Sequence, residues 1–596
     1  MPLAGSGAAG APSTHPQPRW YGGALALLLL ATLAGRLAVA TAHHTSLIEK
    51  EIYKDDAFYY FSIAQHVVAG RGFSVDGVAA TAGFQPLFQL LLLPLVRLTP
   101  GNLIAPLHAA GILSALVSVG TAIALFFLAR RLGGGRSALL TLALWALSPY
   151  FIVHDINGQE TALAVFGAVL TVLLYVAWMR GDGAPSPARA VALGVVVGLG
   201  VLARIDTLLL LAALLVDGAW RAWHLRRMRR DLRAGSLVLL AAFLTWLPWG
   251  AYSTLRLGQP LPSSGEASLL IALDLGWSNL QRIWTTASAN VPRTAADVFF
   301  DADHPPPDYR ADVATKLAFV AALEFPPLAP LRLDSIFDTH PKLHRYRPYG
   351  AFARRPWAGT VLALTLVAGV VWLVQKRRRP GVGPRSPGGG IGLILGVYAF
   401  LLAVGYTFYS PAHWNFNRYV IVLLLLGTAQ LVARVHTAMV GNGTTSSWRR
   451  VAAVALGLLL IACQLNNLRF FRDLSWREVP PRGFLKAWAE LEPYVRSARV
   501  LGAFQCGVIG YFSGRDVVNL DGKVNRDAFA ALSSRRIDDY IRKRGIEFVM
   551  DTEPILYALY LRQLPAADAA GLEFVPVPAP VSLLRVVPRP GGEPTR

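Results

Sequence analysis

The sequence predicts an all-α polytopic membrane bundle of about eleven spans, with interfacial helices in the first external loop and a small C-terminal extracytoplasmic α/β domain. About twelve or thirteen spans are the alternative. Composition predicts the bundle, because 54% of the 596 residues are hydrophobic and only 16% are charged. Many apolar runs also reach the roughly 20 residues that a helical span requires. A change of pattern after residue 468 predicts the terminal domain, since short strand-like and helix-like segments replace the long apolar runs there.

The chain opens with residues 1–20, which are rich in glycine, alanine, proline and serine and are predicted to form a disordered cytoplasmic N-terminus. The transmembrane domain then extends over 21–468. Its first apolar segment is too long for the core of a signal peptide, so we interpret it as a retained span. The predicted spans are Tyr21–Ala42, Leu103–Leu128, Ser137–Val153, Leu163–Trp178, Ala190–Ala203, Thr207–Trp220, Leu237–Tyr252, Trp357–Val374, Ile391–Tyr409, Tyr419–Ala433 and Val451–Leu465.

Basic residues determine the predicted orientation. The net charge is +21, but the lysines and arginines cluster in short loops between spans, where the positive-inside rule places them, so they do not indicate nucleic acid binding. These clusters lie an even number of crossings apart and therefore share the cytoplasmic side. The N-terminus is then cytoplasmic, the terminal domain is extracytoplasmic, and the long external loops are 43–83 and 253–356. We expect a multi-pass protein of a bacterial-type cell membrane.

One short apolar segment, Phe84–Leu98, is not counted as a span. It contains Pro86 and Pro94 and is shorter than a membrane-spanning helix. A crossing here would move the later basic loops to the opposite side from the first span. We therefore predict that this segment is re-entrant or lies at the interface.

The terminal domain, 469–596, combines short strands with helical segments. The sequence holds only two cysteines, Cys463 in a predicted span and Cys506 in this domain, so no disulfide framework is expected. The predicted strands are Arg499–Phe504, Val508–Phe512, Val517–Leu520, Phe548–Asp551 and Ser582–Val587, and a helix is predicted over Asp538–Arg544.

Two adjacent acids, Asp55 and Asp56, follow the first span in the first external loop. Acids beside a membrane span are functional candidates, because charge is costly there. Either carboxylate could act as a general base toward a hydroxyl, although neighbouring acids cannot flank one bond as a glycosidase pair does. The alternative is a solvated loop acid beside Lys54. The next segment, Ala57–Ala69, is amphipathic and is predicted to be an interfacial helix that holds the acids at headgroup depth.

Three basic residues are candidates for binding a phosphate on the same external side. Arg204 and Arg418 border apolar runs where the positive-inside rule disfavours them, and a guanidinium binds phosphate through its planar fork. His413 lies close to Arg418 in the sequence. The alternative for Arg204 is an ion pair with Asp206.

Two further acids, Asp155 and Glu160, are predicted to reach this face as acceptor-binding or second acids. Glu160 begins a span, where a favourable interaction with the helix dipole is the alternative. With His413 and the aspartate pair, these acids could hold a hard divalent cation. No spacing among them is diagnostic of a metal site, so the sequence specifies no certain cofactor and metal binding stays open.

These segments resemble the GT-C superfamily of integral-membrane glycosyltransferases, in the branch of the protein mannosyltransferases, aminoarabinose transferases and RgtA-like enzymes. The similarity covers Tyr21–Leu468. It depends on the acid pair that opens the first external loop, on the helix behind it, and on the segments 83–87, 157–163, 202–206 and 413–419. Many relatives have histidine before the proline of segment 83–87, whereas this chain has Gln85.

The resemblance implies a membrane enzyme that moves a sugar from a polyprenyl-phosphate donor to a hydroxyl of a glycan, lipid or protein, with inversion. Asp55 or Asp56 would be the base, with Asp56 preferred, while Arg204, Arg418 and His413 would bind the phosphate. The alternatives are a transporter or flippase of a lipid-linked sugar, and a non-catalytic envelope assembly protein. A transporter favours inverted repeats and charges near the middle of the membrane, whereas here the polar residues gather at one surface.

Overall fold

The computed structural model describes residues 20–180, 185–224, 226, 228–267, 390–409, 413–440, 451 and 470–552, together with shorter pieces up to residue 587. The predicted disordered N-terminus lies outside the described residues. So do the predicted span Trp357–Val374, nearly all of Val451–Leu465, and most of the second external loop.

The membrane part is helical, because a helix satisfies its backbone hydrogen bonds within one apolar segment. Proline at the first turn begins several of these helices, where its missing N–H costs nothing. The helices are α1 (Trp20–Ala40), α2 (His44–Glu49), α3 (Asp55–Val68), α4 (Pro86–Arg97), α5 (Ala105–Ala146), α6 (Pro149–Asp155), α7 (Thr161–Leu174), α8 (Pro187–Ala203), α9 (Thr207–His224), α10 (Met228–Tyr252), α11 (Gly392–Tyr409) and α12 (His413–Val440), with π-helical turns at Tyr175–Met179 and Ser253–Leu257.

Within the described part of the chain, five helices are long and apolar enough to cross a membrane. The chain is therefore a multi-pass membrane protein. The count of about eleven spans stays a prediction, because it includes short segments and segments outside the described residues. The five helices are Trp20–Ala40, Ala105–Ala146, Thr161–Met179, Asp231–Leu257 and Arg418–Thr437.

Helix α5 contains a break that separates two of the predicted spans. Gly134 has a φ of +83° inside this 42-residue segment, a left-handed conformation that glycine adopts without steric cost. The spans predicted at Leu103–Leu128 and Ser137–Val153 lie on either side of it. The neighbouring Gly133 approaches Ala433 of α12 so closely that a Cβ would not fit. The glycines therefore allow a sharp change of direction against another helix.

Helices α3 and α4 pack against each other, and α4 also contacts α5 and α8. Helix α4 has 12 residues and is about 18 Å long, so it cannot cross a hydrocarbon core of about 30 Å by itself. Helix α3 begins two residues before the predicted Ala57–Ala69 helix. Its apolar face does not lie against lipid as predicted, since Phe58 and Phe61 are fully buried and pack against Tyr511 and Phe512 of the terminal domain. The predicted headgroup depth stays a prediction.

The terminal domain is an α/β unit with one five-stranded sheet of order β2-β1-β3-β5-β4. Strands β1, β2 and β3 are parallel, and β5 joins β3 and β4 in antiparallel fashion. The elements are α13 (Phe470–Asp473), α14 (Phe484–Val495), β1 (Leu501–Ala503), α15 (Gly507–Ser513), β2 (Val517–Asn519), α16 (Arg526–Ser533), α17 (Ile537–Lys543), β3 (Phe548–Asp551), β4 (Leu572–Val575) and β5 (Ser582–Val586).

One predicted strand of this domain is wrong. Val508–Phe512 forms helix α15 instead. A five-residue apolar run does not distinguish a strand from a buried helix by periodicity alone. Here the short helix follows β1 directly and buries Val508, Ile509 and Tyr511, mainly against α3. Strand β4 was not among the predicted strands, whereas β3 has the predicted bounds.

Candidate active site at the junction of the bundle and the terminal domain

The N-terminus of α3 lies against the carboxyl edge of the parallel strands of the terminal domain. Ligands of parallel α/β sheets commonly bind at this edge, and here residues of the same chain occupy it. The Asp55 carboxylate accepts hydrogen bonds from the backbone N–H groups of Gly507 and Val508, at 3.1 and 2.8 Å. These two residues follow β1. Asp55 therefore attaches the terminal domain to the bundle.

Buried polar groups surround this attachment. Asn519, at the end of β2, directs its side-chain amide toward the Tyr59 hydroxyl at 3.4 Å. Asp551, at the end of β3, accepts from the backbone N–H of Gln505 at 2.6 Å. Burial raises the pKa of Asp55 to about 6 and that of Asp551 to about 7, with further contributions from neighbouring acids. Burial also raises the pKa of Asp521.

The raised pKa values predict that mild acid strengthens the junction. An acid whose pKa is higher in the folded state binds more protons there than in the unfolded chain, so stability increases as the pH falls through the folded-state values. We expect the thermal midpoint of the wild type to rise by a few degrees relative to that of Asp551→Asn between pH 8 and pH 5.5. The comparison is needed because burial lowers the pKa values of His44 and His66, which oppose the acids in both proteins. Intrinsic fluorescence at a series of pH values would measure the two midpoints. A difference between the two midpoints that does not grow as the pH falls would contradict the prediction.

Asp56 faces away from that attachment and lies between two cations. Its Oδ2 is 3.3 Å from Nη2 of Arg418, and its Oδ1 is 3.4 Å from Nζ of Lys523. A third of its side chain is exposed. Although burial by itself would raise the pKa of Asp56, the charges of Lys523 and Arg418 outweigh it and lower the pKa to about 2. Asp56 is therefore an ionised, accessible carboxylate.

Arg418 connects Asp56 to the polar residues of the bundle. Its guanidinium also donates to Gln159 at 2.8 Å and to the Tyr419 hydroxyl at 3.0 Å. Arg204 donates from Nη1 to the backbone carbonyl of Arg418 at 2.9 Å. Arg418 is thus held by several elements while a quarter of its side chain stays exposed.

Arg204 is deeper in the bundle than Arg418. Its side chain is only 4% exposed and lies 3.1 Å from Asp206 and 4.0 Å from Glu160. Glu160 in turn accepts a hydrogen bond from the Tyr60 hydroxyl at 2.8 Å. The ion pair with Asp206, considered above as the alternative for Arg204, is present. Arg204 therefore fixes the backbone of Arg418 through a hydrogen bond from the buried side. Glu160 belongs to the same buried polar network, through Arg204 and Tyr60.

The remaining predicted site residues are placed differently. His413 begins α12, but its side chain lies outside the described residues. Asp155 does not lie at the mouth, the partly open site formed by Asp56, Arg418 and Lys523. Its carboxylate is paired instead with Arg36 of α1 at 2.9 Å. Arg36 is fully buried and also donates to the carbonyl of Ala146. Asp155 therefore joins helices within the bundle, which is a correction to its predicted position.

This placement predicts a stability effect for Asp155. Removing one partner of a buried ion pair costs about 3–5 kcal/mol, because the other charge stays buried and unpaired. We expect Asp155→Asn to lower the thermal unfolding midpoint clearly in detergent, and the combined Arg36→Met and Asp155→Leu variant to recover most of the loss. A variant that unfolds like the wild type but transfers no substrate would instead return Asp155 to the active site.

Lys523 is the most important site residue that the sequence did not reveal. The segment 521–525 is interpretable from sequence as a turn or an acceptor-contacting loop, and the structure brings its lysine to Asp56. Tyr60, Tyr419 and Gln159 were also missed. Among the described residues, no group of three or more His, Cys, Asp or Glu side chains is arranged to hold a metal ion.

Known proteins resemble both parts of the chain. Residues 103–249 match the profile of the dolichyl-phosphate-mannose-protein mannosyltransferase family, and residues 481–580 match a domain of unknown function, DUF8728. No curated protein sequence matches the chain at a significant level.

Solved structures align with most of the chain, and one of them shares its fold. The oligosaccharyltransferase of Archaeoglobus fulgidus, tethered to an acceptor peptide, is 13% identical with a TM-score of 0.51, over 91% of this chain and 70% of that chain. ArnT from Cupriavidus metallidurans, bound to undecaprenyl phosphate, is 15% identical with a TM-score of 0.48, over 96% and 99% of the two chains. AglB from Archaeoglobus fulgidus, in complex with an inhibitory peptide and a dolichol-phosphate, is 14% identical with a TM-score of 0.46, over 93% and 73%.

The five apolar helices and the fold shared with the archaeal oligosaccharyltransferase define a class, the multi-pass membrane proteins. The family match over residues 103–249 confirms the resemblance to the GT-C superfamily, and the structural similarity to the archaeal oligosaccharyltransferase supports the same fold. Residues 103–249 thus resemble the mannosyltransferase family, and the chain as a whole shares its fold with a membrane glycosyltransferase.

Proposed function

We propose that this chain moves a sugar from a polyprenyl-phosphate donor to a hydroxyl of a glycan, lipid or protein acceptor at the extracytoplasmic face, with inversion at the anomeric carbon. One observation carries this proposal. A partly exposed carboxylate, Asp56, lies between two cations, Arg418 and Lys523. An acceptor hydroxyl needs a base and a departing phosphate needs positive charge, and this arrangement offers both within one opening.

The two aspartates have different roles in this proposal. Both oxygens of Asp55 accept backbone hydrogen bonds from the terminal domain, so Asp55 attaches that domain. Asp56 faces the opening and is the acceptor-activating base. The acceptor oxygen forms a bond to the anomeric carbon, the bond from that carbon to the phosphate oxygen breaks with its electron pair, and the acceptor proton goes to Asp56.

Donor binding would also make Asp56 a better base. In this structure the charges of its two cations outweigh the effect of burial and hold the pKa of Asp56 at about 2, which leaves the carboxylate ionised but weakly basic. A bound phosphate would take part of the positive charge of Arg418, and the pKa of Asp56 would rise toward the range in which general bases are effective. Arg204 and Glu160 orient Arg418 in this scheme, and His413 is a further candidate for contact with the phosphate.

The proposal is tested with purified protein in lipid vesicles that contain polyprenyl-phosphate-linked sugars and candidate acceptors. We expect one polyprenyl phosphate to be released for each sugar transferred, with inverted configuration in the product. The same assay with several donor sugars would define the donor. Movement of intact lipid-linked sugar across the vesicle without any transfer would overturn the proposal in favour of a flippase.

A further inference from the structure

The terminal domain contributes a charged residue, Lys523, to the partly open site around Asp56. The contact is a feature of the structure, and the role inferred for it below rests on the proposed function. Lys523 follows β2 in the terminal domain, whereas Asp56 and Arg418 belong to the bundle. The side chains of the three residues are 28%, 33% and 25% exposed, respectively. They therefore share one partly open site that two domains form together.

The position of Lys523 is fixed by its surroundings. Its backbone N–H donates to the Asp521 carboxylate at 2.9 Å, and its Nζ lies 3.4 Å from the same side chain. Its backbone carbonyl accepts a hydrogen bond from Ser263 at 3.3 Å. On the bundle side, Gly83 approaches this carbonyl so closely that a Cβ would overlap it. The loop that carries Lys523 is therefore fixed by contacts with the terminal domain and with the membrane part of the chain, and it places the lysine beside Asp56.

We propose that Lys523 is the second phosphate-binding cation of the site, and that the terminal domain thereby completes the donor site of the bundle. Lys523 and Arg418 contact different oxygens of the same Asp56 carboxylate. A phosphate, with its larger number of acceptor oxygens, can satisfy both cations when it replaces these contacts.

The chemistry of the reaction explains why a second cation belongs there. A lipid-linked sugar phosphate is a diester with one negative charge. Breakage of the sugar–oxygen bond leaves a phosphate monoester, which carries a charge of about −1.5 to −2 at pH 7. Positive charge placed where negative charge develops stabilises the transition state more than the ground state. Lys523 should therefore matter more for the released polyprenyl phosphate than for the intact donor.

Equilibrium binding of undecaprenyl phosphate to the full-length protein in detergent tests this assignment without any sugar. We expect Lys523→Met to weaken binding at least tenfold and Lys523→Arg to retain binding within about threefold, because an arginine keeps the charge. Lys486→Met is the matched control. Lys486 is an exposed lysine of the same domain, paired with Glu490, and its replacement should leave binding unchanged.

Two outcomes overturn the assignment. One is wild-type binding by Lys523→Met, and the other is an equal loss in the Met and Arg variants, which would show that the charge is not what matters. Limited proteolysis of each variant verifies that the terminal domain stays docked. A wild-type protein that binds the lipid phosphate through Lys523 but transfers no sugar would refute the proposed function alone. A protein that transfers sugar and is indifferent to Lys523→Met would refute this inference alone.

Discussion

Replacing Asp56 by asparagine is expected to reduce sugar transfer by about a hundredfold to ten-thousandfold, the range that general bases contribute. The substitution keeps the size of the side chain and removes its charge and basicity. Because the carboxylate pairs with Arg418 and Lys523, the two cations proposed to bind phosphate, binding of undecaprenyl phosphate should stay the same or become tighter. Transfer rates and lipid-phosphate binding, measured on the same preparation, would show this separation.

The control for charge removal is Asp516→Asn. Asp516 is an exposed acid of the terminal domain that pairs with Arg71, and its loss should change neither quantity. Asp55→Asn provides the contrast within the pair, since Asp55 contacts the backbone of the terminal domain, and this variant should reduce transfer far less than Asp56→Asn. Normal turnover in Asp56→Asn, with a folded and docked protein, is incompatible with the proposed mechanism.

Replacing Gly507 by alanine is expected to displace the terminal domain and to reduce transfer about a hundredfold, the cost that a displacement of about 1 Å can have at an active site. A Cβ at Gly507 would overlap the backbone carbonyl of Asp55. Backbone atoms of a buried helix start cannot move aside as a flexible side chain can, so the junction must open. Transfer assays and proteolytic cleavage between the domains would measure the effect.

Gly510→Ala is a matched control in the same short helix. The Cβ at Gly510 would have its nearest neighbour, a carbon of Val517, at 3.8 Å, which is an ordinary contact. Alanine generally favours a helix over glycine, so Gly510→Ala should be as stable and active as the wild type. If Gly507→Ala behaved like this control, the close packing of the junction would not be needed for activity.

Sequence patterns predicted the elements that depend on residues close together in the chain. Long apolar runs identified the helices of the bundle, and the apolar strand Phe548–Asp551 has the predicted bounds. Helix α3 was predicted as a helix, but its environment was not. Its polar residues, such as Ser62 and His66, are buried, and the His66 ring contacts the backbone carbonyl of Ser74 at 2.7 Å. An amphipathic pattern does not reveal whether the polar face meets water or the polar groups of another part of the protein.

The candidate site was predicted where single residues were unusual for their context. Asp55, Asp56 and Arg418 attract attention because charge is rare beside apolar spans. Lys523 lies in a polar domain, where a lysine is ordinary, and its contact with Asp56 spans 467 positions in the sequence. The burial of Asp155 was not predicted for the same reason, since its partner Arg36 lies 119 positions away in the sequence. Pairings over such separations depend on the packing of the whole chain.

The attachment of the terminal domain through Asp55 also has a consequence for biosynthesis. Translation begins at the N-terminus, so α3 is made long before residues 507–523, which supply the partners of Asp55 and Asp56. A ribosome-bound chain that stops before residue 507 holds the acid pair without these partners. The proposed site is therefore completed only after residues 507–523 have been synthesised and have docked on the bundle, so an unfinished chain would not carry out sugar transfer.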